Sequence, residues 1–323
     1  IGSQTSFTLH NQEAKFGNNI YTGMQESFSI TIVEQNQLND NHGLKYGGSY
    51  FADRFTESFE GNTSYPFLSK KRVDLVTGLF SEHQYQNEKI NIITGLRADY
   101  YNIEEKIYYS PRFNVKYNPG DRTAVRFSSG RAFRISNILA ENMNFLASSR
   151  NIIIEDNLRP EIGWNYGLNL SHCLYLLNNE GTLNLDIYRT EFKDQIVINI
   201  ENQDELSFAN LNGKSFSNTI QIGLDYQIIK NLQMRLGYKI NRAVSTFNGT
   251  EKQLPLQPEE RALVNFSYKT TSDKWHFDIT ANYIGRSRIP EIDISTDNFS
   301  SPFTLLNSQI TRKWDNFDVY IGG

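Results

Sequence analysis

The feature that most constrains this chain is an alternation of apolar and polar residues with a period of two, sustained over segments of about ten residues. Ile90, Ile92, Thr94, Leu96, Ala98 and Tyr100 fall on one face, and Asn91, Gly95, Arg97 and Asp99 on the other. The pattern recurs in Phe113, Val115 and Tyr117 against Arg112, Asn114 and Lys116, and in Trp164, Tyr166, Leu168 and Leu170 against Asn165, Gly167, Asn169 and Ser171. It is cleanest in three later segments, around Ile220 to Tyr226, Leu232 to Tyr238 and Trp275 to Tyr283. A period of two belongs to the β-strand. Strands of soluble proteins run about five or six residues, whereas a tilted strand needs about nine to eleven to cross a bilayer.

The length of 323 residues accommodates two ordinary domains or one large all-β unit, so the pattern must decide between them. Only 38% of residues are hydrophobic, and no run approaches the roughly 20 apolar residues of a membrane helix. A membrane barrel stays open, because only alternate residues of its strands meet lipid. The 18 Tyr and 21 Phe suit strands and interfacial anchors. A net charge of -4 with interspersed signs offers no basic block for nucleic acid, which is not expected as a partner. The single Cys173 forms no intramolecular disulfide, and the five His have no metal-ligand spacing. No GxSxG, HExxH or phosphate-loop pattern is present, so neither a catalytic residue nor a cofactor is expected.

Connections alternate in length. Short turns at Asn118 to Asp121, Ile229 to Asn231, Thr271 to Asp273 and Asp315-Asn316 separate long segments near 133–161, 193–216, 244–260 and 287–302. Outer-membrane barrels have this asymmetry, with tight periplasmic turns and long extracellular loops. Tyr117, Tyr226, Tyr268, Trp275 and Trp314 sit beside short turns, and Trp164, Tyr166 and Tyr283 toward the long loops, as two interfacial girdles require. A soluble sheet packed on one face shares the alternation, but neither the loop rule nor the girdles. The reading is an all-β, antiparallel transmembrane β-barrel of about fifteen strands, the first and last both running toward the long loops. An odd count does not close a bacterial single-chain barrel, so at least one further strand is expected beyond Gly323.

Several stretches resemble the C-terminal half of TonB-dependent receptors, in particular the cobalamin and siderophore receptor-like type found in Bacteroidetes. They are SPRFNVKYNP from Ser110, RFSSGRAFRISNILAEN from Arg126, NLRPEIGWNYGLNL from Asn157 and LNLDIYRTEFKDQIVINIE from Leu183, then NLNGKSFSNTIQIGLDY from Asn210, RALVNFSYKT from Arg261 and FDVYIGG from Phe317. The resemblance covers nearly everything after residue 90 and thins before it. It implies a plugged barrel of about 22 strands, to which residues 1–323 contribute the C-terminal part, strands seven to twenty-one. The N-terminal plug, its TonB-contacting box and the leading strands would lie outside the sequence. The implied function is TonB-dependent import, across the bacterial outer membrane, of a scarce ligand such as a metal-siderophore chelate or cobalamin. The implied partners are the TonB complex of the inner membrane, that ligand and outer-membrane lipid. A passive channel or structural barrel is the alternative.

Candidate ligand-binding residues lie in the loop over 133–161: Arg134, Asn137, Glu141, Asn142 and Arg150. Ile135, Ile138, Leu139, Met143 and Leu146 have roughly helical spacing there, which predicts a short loop helix. The competing reading is a solvated loop with apolar anchors. Arg97, Arg112, Arg126, Arg235, Asp186, Asp225 and Asp278 are assigned to the lumen, lining a ligand path or pairing with each other and the plug. Asp293 and Asp297 after Pro290 raise the question of Ca²⁺, but two carboxylates are not a full ligand set.

Overall fold

The computed structural model describes residues 1–61, 67–148, 150–202, 204–247, 249–290 and 298–323. Its first seven strands are β1 (Gly2–Phe16), β2 (Asn19–Gln37), β3 (His42–Glu60), β4 (Phe67–Gln86), β5 (Ile90–Tyr101), β6 (Lys106–Gly120) and β7 (Thr123–Arg134). Two helical turns, α1 (Ile138–Glu141) and α2 (Met143–Leu146), precede β8 (Asn151–Ile154), β9 (Glu161–Leu176), β10 (Asn179–Lys193), β11 (Ile196–Asn199) and β12 (Glu205–Asn210). The chain continues through β13 (Ser215–Ile229), β14 (Leu232–Phe247), β15 (Thr250–Gln253), β16 (Glu260–Lys269), β17 (Trp275–Ile284), β18 (Phe303–Lys313) and β19 (Asp318–Gly322). No described helix is long and apolar enough to cross a membrane.

Sixteen strands form one sheet in the order β1-β2-β3-β4-β5-β6-β7-β9-β10-β13-β14-β16-β17-β18-β19, with β15 attached to β14. Every strand of that path pairs antiparallel with the next one along it. Hairpins alone generate this order, and no Greek-key crossing occurs along it. The strand path expected from the sequence, fifteen strands with the first and last pointing the same way, is the one observed.

Register shows why the two faces differ. Phe127, Leu168, Ile187, Ile220 and Ile240 are successive cross-strand partners on β7, β9, β10, β13 and β14. One residue along, Arg126, Asn169, Asp186, Gln221 and Lys239 form an equally continuous polar row. Directly paired residues share a face, so the apolar row lies wholly outside and the polar row wholly inside. The seven assigned lumenal Arg and Asp residues all fall on the polar face. On the outer face Ile220, Ile222, Val264, Phe277, Ile279, Leu306 and Ile310 are exposed, an arrangement suited to hydrocarbon rather than water.

The short-turn side has connections at 38–41, 87–89, 121–122, 177–178, 230–231, 270–274 and 314–317. Leu177 and Asn178 both adopt positive φ, 48° and 63°. Two successive left-handed residues make a type I′ hairpin, whose twist matches its strands, and Asn is one of the residues that tolerates it. The other side departs from the expected rule of uniformly long loops, since β1-β2 and β5-β6 are joined there by only residues 17–18 and 102–105. For β1-β2 the reason is strand length. β2 and β3 have 19 residues and β4 has 20, against 10 for β16 and β17, so the first hairpins carry on past the bilayer; the short β5-β6 connection, between strands of 12 and 15 residues, is not explained by length. The exposed pair Arg54–Glu26 at 3.0 Å lies on the outer face of β3 and β2 and marks the upper limit of the hydrocarbon there.

Adjacent residues on β16 test the inside-out wall. Val264 is on the outer face opposite Leu236 and Ala281, while the Asn265 side chain donates to Thr280 Oγ1 at 2.8 Å on the lumenal face. In the complete barrel, Val264→Arg is expected to cost about 2–4 kcal/mol, with Asn265→Arg much milder. A lipid-dissolved quencher should reach a cysteine-attached probe at 264 and not at 265 in a Cys173-free background. Equal access at both positions would refute the membrane assignment.

Candidate ligand-facing site in the folded loops

The long connections are not loose. β12 pairs antiparallel with β11 and parallel with β8, so the loop between β10 and β13 and the loop between β7 and β9 share a small second sheet. Apolar runs make this possible: Ile152, Ile153 and Ile154 on β8, and Ile196, Val197 and Ile198 on β11. Beneath it Tyr21, Phe59, Ile138, Leu139, Leu146, Ile152, Ile200, Leu206 and Phe208 form one buried cluster. Tyr21 and Phe59 come from the tips of β2 and β3, so the folded loops are seated on the extended hairpins.

Polar contacts at this seam are specific. Asn19 Nδ2 donates to the Leu146 carbonyl at 2.9 Å. Arg72 binds Asp74 at 2.7 Å, donates to the Ser136 carbonyl at 3.2 Å, and reaches the Asn137 Oδ1. Tyr101 donates to Asp74 Oδ1 at 2.7 Å. Glu57 Oε1 accepts from the Tyr21 hydroxyl at 3.1 Å and the Ala140 amide at 3.2 Å. Glu57 lies three residues beyond Arg54, outside the lipid-covered part of β3. Burial raises its carboxyl pKa, against the lowering effect of those two donors.

The five proposed site residues converge on this loop, and each holds part of it together. Arg134 pairs with Glu141 at 2.8 Å and with Glu161 at 2.5 Å. Glu141 also accepts from the Ser136 hydroxyl at 3.0 Å and the Asn137 amide at 2.9 Å. Asn142 caps α1 through the Ile138 carbonyl at 2.8 Å, and Arg150 donates to the Ile200 carbonyl at 3.1 Å in the neighbouring loop. The expected short helix is two single turns, with Ile138, Leu139 and Leu146 buried. Beside them a cavity of about 440 Å³ is lined by Glu57, Lys70, Arg72, Tyr101, Ile135, Leu139, Glu155 and Arg159, among others.

Glu57, Lys70 and Arg72 are not among the residues expected from the sequence, in which the clean alternation begins at Ile90. On β3, Asp53, Phe55, Glu57 and Phe59 share one face and mix charge with aromatic rings, so the row lacks the contrast between faces that marks the later strands. Asp293 and Asp297 lie outside the described residues. Among the described residues no group of three or more His, Cys, Asp or Glu is arranged to hold a metal ion.

The family described as TonB dependent receptor-like, beta-barrel, matches residues 2–323. No curated protein matches the sequence. Among solved structures, the chain is similar to the FrpB iron transporter from Neisseria meningitidis (F3-3 variant), with a TM-score of 0.64 and 14% identity over 91% of this chain and 49% of that one. It is similar to the ferric citrate transporter FecA in its unliganded form, with a TM-score of 0.69 and 12% identity over 99% of this chain and 52% of that one. For the copper transporter OprC the TM-score is 0.69, with 14% identity over 94% of this chain and 50% of that one. The chain thus spans about half the length of these structures, with which it shares a fold.

Arg72→Ala should cost about 3–5 kcal/mol of loop docking, because it leaves the Asp74 side chain, 2% exposed, without its cation. Hydrogen exchange over 135–160 should rise while the membrane wall stays protected; unchanged exchange would refute the seam. Glu57→Gln keeps an acceptor for Tyr21 and Ala140 and should stay docked. Because the folded-state pKa of Glu57 is raised, the group favours docking below its ordinary value and loses that contribution as pH rises through the shifted one. The glutamine variant should lack this part of the pH dependence.

Proposed function

The chain belongs to the TonB-dependent receptor β-barrel family, and we propose that it is the C-terminal part of an outer-membrane receptor. The complete protein binds a scarce, bulky ligand, such as a metal-siderophore chelate or cobalamin, and imports it with energy delivered by the TonB complex. The observation that carries this reading is the continuous inside-out wall, whose extracellular end bears folded loops rather than open coil. A wall of this kind holds a large lumen, and in our reading a plug and the preceding strands complete it. The strand path ends at β1 and β19 without closing on itself, and the similar structures are about twice as long. Transport of iron, ferric citrate and copper by those proteins supports a metal-bearing ligand here.

In this reading the loop carrying Arg134, Asn137, Glu141, Asn142 and Arg150 presents the ligand-facing surface, with the cavity beside Arg72 and Leu139 beneath it. Binding and translocation require no covalent step, so the work divides between recognition by the loops and energised movement of the plug. Deleting the TonB-contacting segment of the complete receptor should abolish uptake in cells and leave ligand binding intact. Uptake that persists without TonB or a proton gradient would assign the protein to passive channels instead.

A further inference from the structure

The outer face of the wall at its short-turn end carries a cation of unusual setting. Phe277, Ile310 and Ile321 are cross-strand partners on β17, β18 and β19, and form the last apolar row on that side. One step nearer the turns, the next row is Trp275, Arg312 and Val319. The Arg312 Cζ lies 4.9 Å from the Trp275 ring and 5.2 Å from the Trp314 ring. Trp314 in turn stacks on Phe317 at 4.9 Å, and Trp275 on Phe277 at 6.3 Å. Two indoles thereby hold one guanidinium on the lipid-facing side of the barrel rim.

Among the described residues, no carboxylate or carbonyl accepts a hydrogen bond from Arg312. The nearby acids are otherwise placed. Asp273 is bonded to His276 at 2.7 Å, Asp318 is the cross-strand partner of Lys313 on the lumenal face, and Asp315 lies in the turn beyond Trp314. A guanidinium is costly in hydrocarbon and presents five donors in a fork that fits phosphate. At this depth the acceptors on offer are lipid phosphodiesters.

We propose that Arg312, held between Trp275 and Trp314, binds the phosphodiester of an anionic phospholipid of the periplasmic leaflet. An anionic headgroup such as phosphatidylglycerol is favoured over phosphatidylcholine, whose own ammonium group already neutralises its phosphate. The inference rests on the outer-membrane barrel reading, which sets the short turns on the periplasmic side. The indoles restrict the side chain before binding, so little further order is lost when the phosphate docks.

The test is native mass spectrometry of the complete receptor in mild detergent, with equimolar phosphatidylglycerol and phosphatidylcholine. The wild type should retain phosphatidylglycerol in preference, and Arg312→Gln should lower that retention about fivefold. Arg312→Lys, which keeps the charge without the fork, should fall between. Heat-modifiable migration on gels checks that each variant is a folded barrel. Equal retention of the two lipids by the wild type would overturn the proposal, as would unchanged retention in Arg312→Gln or full retention in Arg312→Lys. If the quencher still distinguishes 264 from 265 in the same preparation, such a failure removes the lipid site and leaves the barrel reading standing.

Discussion

Backbone hydrogen bonding in a medium without water is the constraint on which the rest of this structure depends. Hydrocarbon supplies no partner for a peptide N–H or C=O, and each unpaired group costs several kcal/mol, so a membrane-crossing strand must be paired on both sides. The fifteen-strand path meets that demand for every strand between β1 and β19, each of which is paired with the strand before it and the strand after it in the path. Pairing then fixes the side chains. A one-residue slip anywhere in the ladder would turn Ile220 and Ile222 toward the lumen and Gln221 toward lipid. The apolar exterior is therefore both a consequence of the register and the force that holds it.

Beyond the lipid, different physics takes over. Water is present again, and apolar side chains gain by leaving it. Among the described residues, the larger of two clusters of buried apolar residues forms where loops from β7-β9 and β10-β13 meet the tips of β2 and β3, and the smaller lies on the wall strands. Its polar seam connects chain segments far apart in sequence, such as Asn19 with Leu146 and Arg72 with Ser136. The loops therefore present a packed surface already ordered by burial. Preorganisation of this kind lowers the entropy lost on binding.

The wall was legible in the sequence because its determinants are local. Alternation, strand length, turn residues and girdle aromatics all follow from the bilayer, and each can be read from a window of ten residues or so. The site was only partly legible. Ile138, Leu139 and Leu146 announce a buried helical face, but the partners that bury them, Tyr21 and Phe59, stand far back in the sequence, in a region where the family resemblance thins. Nothing local says that the isoleucines of β8 pair in parallel with β12. Arg134, Glu141 and Arg150 can be read as polar residues near one loop, while their roles in its internal bonding depend on Glu161 and Ile200, which only the fold brings near.

The lumenal charges bear on where selectivity can reside. Arg235 is bound to Asp225 and Arg97 to Asp99, each at 2.5 Å. Arg126 donates to Asn169 at 2.8 Å, whose amide donates to Asp186 at 2.7 Å, forming a relay of opposite charges across three strands. Charges so matched satisfy one another without a ligand, and their opposed fields largely cancel beyond a few ångströms. The side chains of the folded loops are not fixed by strand register, and it is to them that the proposed reading assigns discrimination.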